Sequence, residues 1–227
     1  MAVVLQNVVP FGRSAAEYQR MFNLTAQDQQ KTILSVADGP ASFNADMTQQ
    51  GWSVISMDPL YALDSADIWQ RFMECLDPII EQVNNTPDDW VWSYHQSPAH
   101  LKQNRIQVMQ RFLADYAGGK QTGRYQVGSL PHLAYPDQAF DLVLCSHFLF
   151  LYSAHFDVNF HLKSIQEMVR VGREVRIFPL LTLDLQLSPH LKPIQQELAI
   201  SGIPSSLVSV SYELQKGANQ MLVLRHT

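Results

Sequence analysis

Charge is sparse in this chain, and cysteine is sparser. Acidic and basic residues together make up 16% of the 227 positions, with a net charge of −5. A nucleic-acid footprint needs clustered Lys and Arg. The nearest approach is Arg170, Arg173 and Arg176, which Glu174 interrupts, and it reads as a solvated face. No nucleic-acid partner is expected. The two cysteines, Cys75 and Cys145, both sit in apolar runs, which favours buried free thiols over a disulfide or a metal site. His95 and His100 are five residues apart and do not share a helix face, and Tyr152, His155 and His161 match no compact ligand spacing, so no metal is expected. No apolar run spans a bilayer, and the opening MAVVLQNVVPFGRS lacks the charged start and long apolar core of a signal peptide. The expectation is a cytoplasmic protein without a membrane partner. G-x-G-x-x-G and G-x-S-x-G are both missing, and Ser42 lies inside a helical stretch rather than on a sharp elbow, which argues against serine hydrolase chemistry.

What is present is a core of ordinary size, with 46% hydrophobic residues in a length that suits one domain over residues 1–227. The chain is organised around residues 33–59. Ile33-Leu34-Ser35-Val36 reads as a buried strand, Ala37-Asp38-Gly39-Pro40 as a turn, and residues 41–50 as a helix carrying Phe43 and Met47 one turn apart. Gly39 supplies backbone freedom, and Pro40 suits a helix start because its missing N–H would be unpaired there. Gly51 caps the helix, residues 53–57 form a second strand, and Asp58 ends it. Asp58 stands nineteen residues after Gly39, about where an acid meets a ribose in a nucleotide-binding unit.

Before this unit, residues 14–30 read as a helix whose Ser14 and Glu17 form a capping-box pattern. After it, residues 65–83 repeat Ile68, Phe72, Leu76, Ile79, Ile80 and Val83 at helical spacing, and residues 98–116 form another helix. Trp90, Trp92, Tyr94 and His95 either line a pocket or, the favoured reading, pack a helical cap. Residues 117–123 read as a flexible connector, so residues 61–123 form a helical insertion after the second strand, placed to cover a substrate. Residues 124–130 read as the third strand and residues 140–147 as a fourth, buried on both faces. A helix over 156–171, a fifth strand over 174–183 ended or bent by Pro179, and a helix over 191–201 follow. Residues 206–214 and 220–225 complete the sheet as an antiparallel hairpin. The predicted fold is α/β: a Rossmann-like, doubly wound sheet of about seven strands, mostly parallel, with a reversed C-terminal strand.

GPASF at 39–43, the acid Asp58 and the phrase PDQAFDLVLCSH at 136–147 together resemble the class I S-adenosylmethionine-dependent methyltransferases. More narrowly, GPASFNAD followed by SMDPLY resembles a bacterial subgroup of uncharacterised members. Ala37 and Ala41 stand where that family usually has glycine, and Ser35 where it usually has an acid. The resemblance implies S-adenosylmethionine as cofactor. It places Ala37, Asp38, Gly39 and Pro40 against the methionine part, with Asp38 standing in for the missing acid. It also places Asp58 with Pro59 at the ribose, and Gly128, Ser129 and Leu130 at the adenine. Tyr18 or Met21, on the helix that shuts the pocket in this family, would touch the ligand. Ser146 and His147 open into the cleft. His147 is the candidate catalytic base, or else a donor to the cofactor or a polar cap on the strand.

The function that follows is methyl transfer to a small-molecule acceptor. A methyltransferase fold kept only for binding is the alternative, motivated by Ser35, Ala37 and Ala41. A nicotinamide-dependent oxidoreductase is third, disfavoured by the terminal hairpin and the missing glycine motif.

Overall fold

The computed structural model of the protein describes residues 4–5 and 7–225. Seven strands form one sheet: β1 Thr32–Val36, β2 Ser53–Met57, β3 Tyr125–Gln126, β4 Phe140–Ser146, β5 Gly172–Phe178, β6 Ser205–Ser209 and β7 Gln220–Arg225. Their order across the sheet is β3-β2-β1-β4-β5-β7-β6. Pairings from β3 to β5 are parallel, whereas β7 runs antiparallel to both β5 and β6. The sequence changes direction between β1 and β4, where Ile33 faces Leu142 and Val36 faces Cys145. Crevices beyond the carboxyl ends of strands at such a switch point hold ligands.

Helices cover both faces. On one lie α1 Ala15–Met21, α2 Phe43–Gln49, α3 Ser65–Asn84 and α4 Pro98–Gln121, sharing a core with Ile33, Val54, Leu142 and Leu144. On the other lie α5 Val158–Val171 and α6 Leu191–Ile200, packed against Leu34, Val36, Val143 and Cys145. Adjacent β1 residues enter opposite cores because strand side chains alternate. That alternation, with an apolar residue on each side, is why β1 and β4 read as continuous hydrophobic runs.

Local signals explain most boundaries. Ser14 caps α1 as half of a reciprocal pair, its N–H donating to Glu17 Oε2 at 2.8 Å. Asp157 caps α5 through the Phe160 N–H at 2.7 Å, which starts that helix at Val158 rather than 156. β5 stops at Phe178, ahead of Pro179.

Several expectations need correction. The helix expected over 14–30 ends at Met21; Asn23 has φ +48, and a separate 3-10 turn spans Ala26–Gln30. The connector expected over 117–123 is largely helical, since α4 continues to Gln121. Gly119 serves packing: a β-carbon there would lie 2.4 Å from the Tyr125 ring. The third strand is only two residues long, at the sheet edge. β6 ends at Ser209, so the link to β7 is longer than the tight hairpin expected.

Candidate active site

The β1–α2 turn is held in an unusual conformation by its neighbours. Ala37 has φ +51 and Gly39 φ +54, both left-handed. Glycine adopts this region freely, whereas alanine is strained in it, so Ala37 occupies a glycine's conformation at a cost. The surroundings enforce that shape. The Ala37 N–H donates to the Met57 carbonyl at 2.9 Å, the Tyr61 hydroxyl donates to the Gly39 carbonyl at 2.7 Å, and the Ser42 N–H donates to the Arg13 carbonyl at 3.1 Å. Gly12 lies against the turn so closely that a β-carbon there would sit 2.2 Å from the Pro40 oxygen.

Two carboxylates frame the turn. Asp58 accepts from the Gly39 N–H at 2.8 Å and the Leu60 N–H at 2.7 Å, joining the ends of β1 and β2. Burial pushes its carboxyl up to about 6, against the pull of those two bonds. Asp38 is buried and accepts from three hydroxyls: Tyr18, Ser56 and, at 2.6 Å, Ser35. Burial raises its pKa despite these donors. The carboxylate therefore ties α1, β1 and β2 together, leaving only its remaining lone pairs for a ligand. Ser35 supplies one of those donors.

At the other wall, Gly128 approaches Met57 closely: a β-carbon there would lie 2.5 Å from the Met57 sulfur. His147, at the end of β4, has φ +50, and its N–H donates to the Phe178 carbonyl at 2.7 Å. Its Nδ1 pairs with Ser146 Oγ at 3.0 Å, and Nε2 has no hydrogen-bond partner among the described residues. Burial first, and the positive charge of Arg13 second, hold the imidazole well below its usual pKa. His147 is thus neutral at physiological pH and able to accept a proton.

These groups meet in one cavity of about 480 Å³. Of the expected site residues, Tyr18, Ala37, Asp38, Gly39, Pro40, Asp58, Pro59, Gly128, Ser129, Leu130, Ser146 and His147 line it. Met21 does not; it is fully buried in the core. The expectations missed the segment 8–13, which forms a wall of the cavity, and Phe148, Phe156 and Phe160. Gly12-Arg13 just ahead of the capping box was the available signal, but nothing local says that an extended segment folds back over a distant turn.

A smaller chamber of about 90 Å³ adjoins this cavity, the two sharing Val9, Phe11, Arg13 and His147. The helical insertion contributes Leu63 and Arg71 to the main cavity and Ile79, Val83, Trp90 and Leu101 to the chamber. Trp92 and Tyr94 pack against the core, and His95 is buried. His95 belongs to a polar cluster beneath the chamber. There Arg105 grips Glu17 through two bonds of 2.7 and 2.6 Å, the Tyr212 hydroxyl donates to Glu17 at 2.8 Å, and His95 Nε2 lies 3.0 Å from the same carboxylate. Burial pushes the Glu17 carboxyl up, but Arg105 overrides it and holds it well below the usual range.

Among the described residues no His, Cys, Asp and Glu cluster could hold a metal, and no helix is long and apolar enough to cross a membrane.

The sheet order, the reversed β7 and a crevice at the β1/β4 switch point define the Rossmann-like fold of S-adenosylmethionine-dependent methyltransferases. Among solved structures, the mitomycin 7-O-methyltransferase MmcR has this fold, with a TM-score of 0.50 and 13% identity over 94% of this chain. The chain spans about half that enzyme, 54% of its length. The PH0226 protein from Pyrococcus horikoshii OT3 aligns with a TM-score of 0.48 and 12% identity, over 93% of this chain and 89% of that one. No protein-family model matches the chain. It belongs to the family of the uncharacterized protein MJ0045 of Methanocaldococcus jannaschii, to which it is 30% identical over 222 residues, 97% of each chain.

Proposed function

We propose that this protein is an S-adenosylmethionine-dependent methyltransferase acting on a small molecule. One observation carries the reading. A single cavity at the switch point gathers the Gly39 turn, Asp58, the Gly128–Leu130 segment and His147, from the ends of four neighbouring strands. The residues fit the cofactor. The space where a Gly39 β-carbon would project is open, and Gly128 keeps its segment close to Met57. The likeness of GPASFNAD and SMDPLY to a bacterial subgroup of this family supports the same reading.

Bound there, the cofactor supplies a methyl group on an electrophilic sulfonium. Asp58 receives the ribose hydroxyls on the carboxylate lone pairs that Gly39 and Leu60 leave free. Residues 128–130 bound the adenine. Segment 8–13 and the three phenylalanines wall the cavity and exclude water. Orientation supplies much of the rate in such a transfer. The neutral His147 receives at Nε2 the proton that an O–H or N–H acceptor releases.

A second reading, a methyltransferase fold kept for binding alone, draws on Asp38, whose carboxylate three hydroxyls already meet, and on the strained Ala37. The reversed β7 weighs against a nicotinamide enzyme. The test is calorimetric titration with S-adenosylmethionine, S-adenosylhomocysteine and NAD. The methyltransferase reading expects the first two to bind and NAD to fail. Binding of NAD alone, or of none, overturns it. Tight S-adenosylhomocysteine binding with no methyl transfer across a broad panel of acceptors favours the second reading.

A further inference from the structure

We propose that the methyl acceptor is a compact apolar molecule carrying one acidic group, its body in the side chamber and its anion on Arg13. The inference deepens the methyltransferase reading and rests on it for the word acceptor; the anion preference of the chamber stands on the geometry alone.

Arg13 is the anomaly. Its Nη1 donates to the Phe11 carbonyl, but its Nε is buried without a partner, and its guanidinium forms no salt bridge among the described residues. Arg105, which adds its own positive charge nearby, is already held by Glu17. Burial, then Arg105, lowers the Arg13 pKa only to about 10, so the group is a cation at neutral pH. The Phe11 ring, 5.6 Å from the guanidinium carbon, is a weaker partner than an anion, and a planar guanidinium fork matches a carboxylate.

The two cavities differ in charge. The main one holds Asp38 and Asp58 as well as Arg13 and the exposed Arg71. The chamber is lined by Arg13 with no carboxylate at all. Apart from His147, its other polar side chains are engaged: the Tyr212 hydroxyl by Glu17, the Tyr152 hydroxyl by the Val9 N–H, and Gln215 by the Thr182 carbonyl. The remainder is aliphatic or aromatic, with Ile79, Leu101 and Trp90 from the insertion facing Phe178 from β5. A cavity of about 150 Å³ can bind benzene. At about 90 Å³ this chamber is smaller than that, and it suits a short branched chain rather than a ring. Arg13 and His147 line both cavities, which places the acid and the proton acceptor together.

A carboxylate on Arg13 could also come from the cofactor's methionine part, so the experiment separates the two sources. Protein saturated with S-adenosylhomocysteine is titrated with isobutyrate, isobutyramide and isobutyramidine, which share a shape and differ in charge. Isobutyrate is expected to bind about tenfold or more tighter than isobutyramide, with isobutyramidine weakest. In Arg13→Met the preference should vanish, and the loss for isobutyrate should exceed any loss of S-adenosylhomocysteine affinity. Equal binding of the three probes, or no binding of any, overturns the proposal; this arm needs no variant. An Arg13→Met loss as large for S-adenosylhomocysteine as for isobutyrate also overturns it, assigning the arginine to the cofactor. If S-adenosylhomocysteine does not bind the wild-type protein, the cofactor reading falls separately, and the probes are compared on the free protein by the same criterion.

Discussion

The Gly39 N–H donates to Asp58 at 2.8 Å, so the turn after β1 and the acid after β2 are locked together before any ligand arrives. The carboxylate that would meet a ribose also shapes the turn beside it. Removing Asp58 therefore has two consequences. Asp58→Ala is expected to weaken S-adenosylhomocysteine binding by about 1–2 kcal/mol and to lower the melting temperature, because two N–H donors lose their acceptor. Unchanged affinity in calorimetry would remove Asp58 from the site.

The raised pKa of Asp58 has a sign. A carboxyl lifted to about 6 favours its protonated form in the fold, so its stabilising contribution is present below the ordinary carboxylate value and is lost as pH rises through about 6. Asp58→Asn should flatten that decline in a pH series of urea unfolding curves. Cofactor affinity should run the opposite way and strengthen as the carboxylate ionises. An unaltered pH series in the variant would contradict the assignment.

His147 should stay silent in a titration. Burial and Arg13 keep its imidazole neutral, so its ring proton resonances should not shift over about pH 6–8, where an ordinary histidine titrates. In any methyl-transfer assay the rate should then show no acid limb near the usual histidine pKa. A midpoint near neutrality in the NMR titration would show that the site is wetter than its walls indicate.

Glu17 and Arg105 form a buried pair, and breaking it should be costly. Arg105→Met is expected to lose about 3–5 kcal/mol in urea unfolding. The loss should grow as pH rises from acid to neutral, because Glu17 loses the main counterweight to burial, which favours its protonated form. A pH-independent loss would mean that packing, not charge, dominates the site.

Three glycines should rank by what a methyl group meets. Gly12→Ala strikes the Pro40 backbone and should cost the most, about 1–3 kcal/mol, with weaker cofactor binding. Gly128→Ala meets the flexible Met57 side chain and should cost less. Gly39→Ala has open space and only φ strain, about 1–2 kcal/mol. Thermal unfolding of the three variants checks the order.

The sheet was legible because apolar runs such as 140–146 are long enough to cross a core and are bounded by turn chemistry. The reversed last strand was legible for a different reason: too few residues separate β6 from β7 for a crossover. Gly119 misled, since glycine in a sequence looks the same whether it loosens a connector or admits the Tyr125 ring to a helix surface. Residues 124–130 looked like a full strand, but an edge strand pairs only as far as its one neighbour extends.

By itself the sequence determined the strand–turn–helix–strand unit, the acid after β2 and the strand carrying His147. Each is written in local periodicity, a turn residue or a short motif. Only the tertiary structure decided that residues 8–13 close over the Gly39 turn and that Asp38 is met by three hydroxyls. It alone left Arg13 without a carboxylate partner among the described residues, lining an apolar chamber. Those facts depend on contacts between segments far apart in the chain, where sequence spacing carries no distance information.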